Sequence, residues 1–391
     1  MKLAASANNK KAVAATAVPP NMTESRDRCL MDSHRLAGCS EIFACPACRK
    51  ELTFEDHDVR CLSCEAVFLV DNGIPLLFAS DEGQTRHVTD IVKAFYEENP
   101  FPNYDDLDSK QGLMEKARRG VFARLLDEQI PRGARILEVG CGTGQLTNFL
   151  GIHWDRQVFG SDMCLNSLRL AKGFRDRSGI RNATFIQMNL FRPAFRTGSF
   201  DIVISNGVLH HTSDPLGGFL SISRLVKPGG CILIGLYNKI GRLATDLRRV
   251  LFRLSGNRMR MLDSHMRNPK YNEARKRAWF MDQYKHPCES KHSYDEVIEW
   301  FESTGFEFLF SIPKIDTSPF TEYEQLFEPH GKGTKLARLA TQFEMLLTGG
   351  VDGALFIMIG RKMNQDTALR EPVERTRGAG VMAAPARTSW H

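Results

Sequence analysis

Four cysteines in the first quarter of the chain have the spacing of metal ligands. Cys45 and Cys48 are separated by two residues, twelve residues follow, and Cys61 and Cys64 repeat the pair. A two-residue gap lets both thiolates of a pair face one ion, and two such pairs complete the tetrahedral shell that zinc prefers. A dithiol redox pair is the alternative, because C-x-x-C also serves that chemistry. Two pairs at this spacing favour a closed, structural zinc site.

A glycine-rich turn lies between an apolar run and a helical pattern. It reads GCGTG over residues 140–144, and Asp162 lies 22 residues beyond its first glycine. Glycines let the chain turn sharply and approach a ligand closely, and a carboxylate at that distance suits a ribose diol. A dinucleotide site would carry its third glycine one residue later, and a P-loop would need Gly-Lys-Ser/Thr. A structural turn is the remaining alternative.

Two adjacent histidines follow a later apolar run. His210 and His211 lie in NGVLHHTSDP. A neutral imidazole there could take a proton from an acceptor, because its ordinary pKa is about 6.5. The alternative is that one ring packs or caps the next helix while the other contacts a ligand or the backbone. Tyr237 lies at the end of the next apolar run. Its side chain either orients an acceptor or is simply a buried tyrosine whose hydroxyl forms a hydrogen bond within the protein.

Alternating apolar runs and helical patterns must position these residues. Seven runs have strand length: 134–140, 157–162, 183–189, 201–206, 231–238, 306–312 and 354–360. Helical patterns lie between them, for example at 167–177, 215–226 and 335–347. Strands that are apolar throughout indicate a sheet buried on both faces. The alternation predicts an α/β fold with a Rossmann-like, doubly wound, seven-stranded sheet, which binds ligands at the carboxyl ends of its strands.

The overall composition is that of a globular protein with several segments. The 391 residues are 42% apolar and 25% charged, which excludes a disordered or fibrous protein. We predict a flexible leader at 1–40, a zinc ribbon at 41–80, an α/β domain at 90–365 and a flexible tail at 366–391. Ten cysteines are too few for a disulfide scaffold. A reducing, cytoplasmic location is therefore expected.

A basic insert at 239–291 interrupts the α/β pattern. Its part 239–285 contains thirteen Lys or Arg and four Asp or Glu, an excess of nine in a chain whose net charge is +6. Five residues predict one apolar stripe on a helix: Ile240, Leu243, Leu247, Val250 and Leu254. Arg242, Arg249 and Arg253 fall on the opposite face. Three interpretations stay open, namely a lid that docks its stripe on the domain, an RNA or other anion site, and a peripheral contact of 239–285 with an acidic membrane.

The motifs from strand one to strand five resemble those of class I S-adenosylmethionine-dependent methyltransferases. EVGCGTG at 138–144 is similar to the family's first motif, FDIVISNGVLHHTSDP at 200–215 to its fourth-strand motif, and LVKPGG at 225–230 to the turn before strand five. The resemblance implies that Asp162 holds the ribose hydroxyls and that Asn189 takes the adenine position. The implied cofactor residues are Glu138, Gly140, Cys141, Gly142, Gly144, Asp162, Met163, Asn189 and Asn206.

Two further segments resemble parts of the same family. The cysteine segment, with VDNGIPLLF at 70–78, is similar to zinc ribbons that act as separate activators of methyltransferases or as fused leaders. The segment AFYEENPFPNYDDLD at 94–108 precedes strand one, where many members carry a cover over the active site. Tyr96, Phe101 and Tyr104 are therefore candidate acceptor contacts, or else a packing cluster.

These features together predict a zinc ribbon fused to a methyltransferase that uses S-adenosylmethionine and structural Zn²⁺. The expected partner is a small or medium-sized organic acceptor methylated at O, N or C. His210, His211 and Tyr237 are the candidate catalytic residues. An RNA methyltransferase that uses the ribbon and the insert is one alternative, although an Asn-Pro-Pro-Tyr run and a paired catalytic cysteine motif are absent from the sequence. A non-catalytic adaptor that only binds ligand or partner is the other.

Overall fold

The computed structural model describes residues 32, 35–80, 83–102, 107, 109–348 and 353–364. Nearly all of the predicted leader and the whole predicted tail lie outside these residues, as does Tyr104. Within them the strands are β1 Thr53–Phe54, β2 Asp58–Arg60, β3 Val67–Asp71, β4 Ile74–Leu77, β5 Arg135–Val139, β6 Gln157–Asp162, β7 Ala183–Met188, β8 Phe200–Asn206, β9 Val226–Tyr237, β10 Phe306–Ile312 and β11 Leu355–Lys362.

Eleven helices accompany the strands in the described part of the chain. They are α1 Gly83–Glu98, α2 Lys110–Arg119, α3 Val121–Gln129, α4 Gln145–Leu150, α5 Leu165–Arg177, α6 Pro215–Ser223, α7 Leu243–Leu254, α8 Ser264–Arg267, α9 Glu273–Lys285, α10 Tyr294–Ser303 and α11 Lys335–Leu347. Short 3₁₀ turns occupy Ser40–Ile42, Leu209–His211 and Arg260–Leu262. None of these described helices combines the length and the apolar character needed to cross a lipid bilayer.

The seven strands of the domain confirm the predicted Rossmann-like sheet. Their order is β7-β6-β5-β8-β9-β11-β10, in which β5 to β9 run parallel and β11 is antiparallel to both of its neighbours. The chain leaves β5 toward β6 on one side and returns to β8 on the other. The carboxyl ends of β5 and β8 therefore form the topological switch point, where open α/β sheets bind ligands.

The ribbon is joined to this sheet by backbone pairing. Strands β1 to β4 are antiparallel to one another, and β4 pairs in parallel with β7 through Leu76 and Leu77. Phe43 is fully buried, and its ring centroid lies 5.0 Å from that of Phe195. The Arg49 guanidinium donates to backbone carbonyls beside Phe195. The four-cysteine segment thus extends the edge of the domain sheet and shares its core.

The insert adopts an orientation that contradicts docking of its predicted stripe. Leu243, Leu247, Val250 and Leu254 on α7 are exposed. Phe252 of the same helix is buried instead, and its ring centroid lies 6.0 Å from that of Phe280 and 4.7 Å from that of Tyr284, both on α9. Helical spacing identifies residues that share a face, but buried partners decide which face turns inward.

The arginines of the insert also depart from the expectation that they face water. Arg242 is fully buried, and its Nη2 lies 2.8 Å from the Glu289 carboxylate. Arg249 reaches the same carboxylate at 2.8 Å. Of the three predicted outward arginines, Arg253 is exposed. Two arginines that converge on one buried carboxylate anchor the first turns of α7, because neither partner can leave without exposing an unpaired buried charge.

Candidate active site

A cavity of about 490 Å³ opens at the carboxyl ends of β5, β6, β7 and β8. Its floor contains the glycine turn and the residue pair Asp162 and Met163. Helix α1 contributes Val92 and Tyr96 to its lining, and α9 contributes Trp279. This volume lies within the range of small-molecule and cofactor sites.

The glycine turn is compact because other parts of the chain press against it. Gly142 has a φ of +52°, and a Cβ there would lie 2.3 Å from the Phe101 carbonyl oxygen. Gly144 has a φ of +72°, and a Cβ there would lie 2.6 Å from the Phe185 ring. The Thr143 hydroxyl donates to the Pro102 carbonyl. The segment before α2 is therefore held over the turn, and the close approach at Gly142 is made by protein backbone.

Two carboxylates of the predicted set line the cavity. Asp162 accepts hydrogen bonds from the backbone N–H groups of Gly142 and Cys164, both at 2.8 Å, and burial raises its pKa. Glu138 accepts a hydrogen bond from the Thr147 hydroxyl, and burial raises its pKa to about 7. Carboxylates so placed can bind the hydroxyl groups and the cationic groups of a ligand.

The other predicted cofactor residues also lie at this cavity. Asn189 has both ends of its amide engaged, since Nδ2 donates to the Ala79 carbonyl at 2.9 Å and Oδ1 accepts from the Phe191 N–H at 3.0 Å. It therefore ties the end of the ribbon segment to the cavity wall, and its contact with adenine stays a prediction. Residues that line the cavity beside it are Gly140, Cys141, Met163 and Asn206.

The structure separates the two predicted histidines. His211 lines the cavity, and its Nδ1 lies 2.9 Å from the Cys288 carbonyl oxygen. A carbonyl only accepts, so Nδ1 carries the proton and Nε2 carries the lone pair. Burial lowers the pKa of His211 to about 4. His210 lies outside the cavity lining, fully buried, with its ring 3.9 Å from the Tyr237 ring and with no hydrogen-bond partner for either nitrogen among the described residues.

A buried acid that the sequence analysis did not select faces the cavity from α9. Asp282 Oδ1 accepts a hydrogen bond from the Tyr96 hydroxyl at 3.2 Å, while Oδ2 accepts from Gln283 Nε2 at 2.9 Å and from the Tyr237 hydroxyl at 3.4 Å. Burial raises the pKa of Asp282. The sequence holds one usable signal, because Asp282 is the only acid between Glu273 and Glu289. Its carboxylate is a candidate proton acceptor.

Arg242 and Gln283 fix the position of Tyr237. The Arg242 guanidinium lies 3.7 Å from the centre of the Tyr237 ring and donates to the Gly353 carbonyl at 2.8 Å. Gln283 Nε2 donates to the Tyr237 hydroxyl at 2.6 Å. Burial of the Tyr237 hydroxyl raises its pKa. Tyr237 is therefore a neutral, firmly held wall residue that can orient Asp282 or an acceptor.

The ribbon cysteines form a candidate metal centre. Their four sulfur atoms lie within 4.8 Å of one another, with 3.7 Å between Cys45 Sγ and Cys64 Sγ and 3.4 Å between Cys48 Sγ and Cys61 Sγ. Zinc–sulfur bonds of about 2.3 Å in a tetrahedron place sulfurs about 3.8 Å apart. The sulfur positions therefore fit one zinc ion with no position left for substrate.

The comparisons with known proteins point to one kind of domain. Residues 137–234 match the family described as "Methyltransferase domain". An uncharacterized protein of Synechococcus is 29% identical over 251 residues, which are 57% of this chain and 60% of the relative. A ubiquinone biosynthesis O-methyltransferase of Xanthomonas axonopodis pv. citri is 31% identical over 109 residues, which are 28% of this chain and 45% of the relative.

One solved structure to which the chain is similar is that of PKMT2 from Rickettsia typhi in complex with AdoHcy. It is 16% identical, with a TM-score of 0.43, and the match covers 62% of this chain and 52% of that chain. The chain spans 60% and 45% of the length of the two curated relatives given above.

Proposed function

We propose that this chain, which contains a class I S-adenosylmethionine-dependent methyltransferase domain, transfers the cofactor's methyl group to an O, N or C nucleophile of a small or medium-sized organic acceptor. One observation carries the proposal. The glycine turn and Asp162 line the same cavity as Asp282 and the two tyrosines that contact it, Tyr96 and Tyr237. Cofactor and acceptor would therefore meet between two sets of groups that suit them.

The residues of the cavity fit S-adenosylmethionine. Asp162 offers a carboxylate to the ribose hydroxyls, and Glu138 offers one to the cationic methionine end. Met163 and Met188 supply apolar walls for the adenine. The bound cofactor supplies a methyl group on a sulfonium, which is already activated. The protein then has to align the acceptor with that methyl group, and positioning of reactants can lower the barrier by about 7–11 kcal/mol.

The acceptor side would hold the nucleophile and remove its proton. We assign proton acceptance to the Asp282 carboxylate, because it lines the cavity between two tyrosine hydroxyls and burial raises its pKa, whereas burial lowers the pKa of His211 to about 4. Tyr96 and Tyr237 would keep the carboxylate oriented through their hydroxyls. Helices α1 and α9 would exclude water above the reacting groups.

A small acceptor has more support than RNA. Residues of α1 and α9 line the cavity beside Asp282, and a volume of about 490 Å³ suits a small molecule. The named activity of the Xanthomonas relative is O-methylation in ubiquinone biosynthesis, and a hydroxyl acceptor of that kind would need a base such as Asp282.

The structural zinc and a reducing, cytoplasmic location belong to the same proposal. The sulfur geometry of the four cysteines supports one bound Zn²⁺. Such a site needs its cysteines reduced, which the cytoplasm provides.

Labelled-methyl transfer tests the proposal, with total RNA and a small-molecule extract as competing acceptors. We expect label in the small-molecule fraction. Asp162→Ala should weaken binding of S-adenosylmethionine about tenfold or more in calorimetry, since a charge-assisted hydrogen bond contributes about 1.5–3 kcal/mol. Asp282→Asn should lower kcat about 10²- to 10⁴-fold for a hydroxyl acceptor without a change in cofactor affinity. Equal cofactor affinity in wild type and Asp162→Ala, or label only in RNA, would contradict the proposal.

A further inference from the structure

The outer face of the insert carries an exposed apolar patch. We define the outer patch by its members: Leu243, Leu247, Val250, Leu254, Met259, Met261 and Leu262. Its four residues on α7 are 52%, 63%, 51% and 80% exposed in sequence order. Their helical spacing places them in one continuous row, so they are not scattered single side chains. Exposed apolar surface that is contiguous in this way marks an interaction site.

Within residues 243–270, the stretch that contains the outer patch, the exposed charged residues are all basic. Between residues 243 and 270 they are Arg253, Arg258, Arg260, Arg267 and Lys270. The two acids of that stretch are turned to internal partners. Asp246 pairs with Lys291 at 2.5 Å, and the buried Asp263 accepts the Tyr284 hydroxyl at 2.5 Å. The surface is therefore apolar and cationic at once.

The outer patch and the cavity lie on opposite sides of the helix pair α7 and α9, which we call the lid. Phe252, on the inner side of α7, packs on Phe280 and Tyr284 of α9. Helix α9 in turn places Trp279 and Asp282 in the cavity wall. A partner bound to the outer patch would therefore be separated from the acceptor side of the cavity only by this pair of helices.

We propose that the outer patch docks this protein on the surface of an anionic lipid bilayer, from which an amphipathic acceptor with an apolar tail enters the cavity. A helix with a leucine row among arginines is the kind that lies in a membrane interface. Arginines near an anionic leaflet add attraction of their own. The proposal rests on the proposed function for the acceptor, but the docking itself does not need the reaction.

The composition of the patch favours a bilayer over the two other occupants. Single-stranded RNA is held by aromatic stacking together with cations, and between residues 243 and 270 every exposed large side chain is aliphatic or basic. A second copy of the chain would bring the same five exposed cations against themselves in a two-fold contact. An anionic bilayer is complementary to both the charge and the apolar row.

Vesicle flotation of the full chain without cofactor tests the docking. The probes are vesicles of phosphatidylcholine alone and of phosphatidylcholine with phosphatidylglycerol. We expect binding to the anionic vesicles, weakened about tenfold or more in Leu247→Asn/Leu254→Asn and about thirtyfold in Arg253→Gln/Arg260→Gln. The matched control is Leu62→Asn/Leu69→Asn, which alters two exposed leucines of the ribbon and should bind as wild type does.

The other binding results each decide against the bilayer. Equal binding of wild type to both vesicle types, or equal binding of wild type and the leucine variant, would overturn the proposal. Binding to RNA with no binding to vesicles would assign the patch to RNA. A wild-type dimer that becomes a monomer in the leucine variant, with no vesicle binding, would assign it to a second copy. A methyl-transfer failure with intact vesicle binding would instead count against the proposed function.

Discussion

Burial in the folded protein makes ionisation of the Glu138 carboxyl group unfavourable. Its folded pKa of about 7 lies above its ordinary value of 4.5 because the side chain is buried. At a pH between these values the folded chain binds more protons at this site than the unfolded chain does. Stability from Glu138 is therefore complete below the ordinary pKa and is lost as the pH rises through the folded one.

Glu138→Gln should remove this loss of stability at rising pH. We expect the free energy of unfolding of the cofactor-free wild type to fall by about 3 kcal/mol more than that of the variant between about pH 5 and about pH 8. Urea unfolding at the two pH values measures the difference between the two proteins, in which the titration of groups that do not interact with Glu138 cancels. Glu344→Gln changes an exposed carboxyl and serves as the control. Parallel pH curves for wild type and Glu138→Gln would contradict the burial argument.

Residues that follow a strand were the ones open to prediction from sequence. Glu138, Asp162 and Tyr237 end strands of the sheet, and parallel strands bring their carboxyl ends to one edge. Asp282 was not predicted, because it reaches the cavity from α9, and the position of that helix is set by tertiary packing. The hydrogen bond from the Asn189 amide to the Ala79 carbonyl was not predicted for a similar reason, since Ala79 lies 110 residues earlier in the chain.

At the scale of elements, a buried ion pair fixes how α7 and the cavity wall are arranged. Burial alone would raise the pKa of Glu289, but hydrogen bonds from Arg242 and Arg249 outweigh it and hold that pKa at about 2. Arg242 also lies against the Tyr237 ring. The bounds of β6, β10 and α11 follow local apolar patterns and match the predictions, whereas the orientation of α7 depends on this distant carboxylate.

Loss of the Glu289 charge should therefore destabilise the lid. We expect Glu289→Gln to lower the free energy of unfolding by about 3–5 kcal/mol, because it leaves a buried arginine unpaired. Chemical denaturation near neutral pH measures the change. Arg253→Gln, which alters an exposed arginine of the same helix, should change stability by less than about 0.5 kcal/mol. Equal stabilities of Glu289→Gln and Arg253→Gln would show that the pair does not hold the helix.

At the scale of the whole molecule, the ribbon is coupled to the cavity through the sheet. Strand β4 follows the second cysteine pair and hydrogen-bonds to β7, and Ala79 just beyond it accepts from Asn189 in the cavity wall. A ribbon tethered only by a linker could unfold without effect on the domain. A ribbon that shares a sheet and the Phe43–Phe195 contact cannot, because its loss uncovers an apolar edge.

Removal of the metal should accordingly weaken both stability and cofactor binding. Binding of structural zinc contributes about 10–16 kcal/mol in small zinc peptides, so a chelated ribbon should unfold. We expect Cys45→Ser/Cys61→Ser, like chelation of the wild type, to lower Tm and to weaken S-adenosylmethionine binding several-fold in calorimetry. Cys231→Ser alters a buried cysteine outside the ribbon and controls for loss of a thiol. Retained cofactor affinity in the metal-free protein would mean that the β4–β7 pairing does not transmit the state of the ribbon to the cavity, and that the fusion serves another purpose than support of the site.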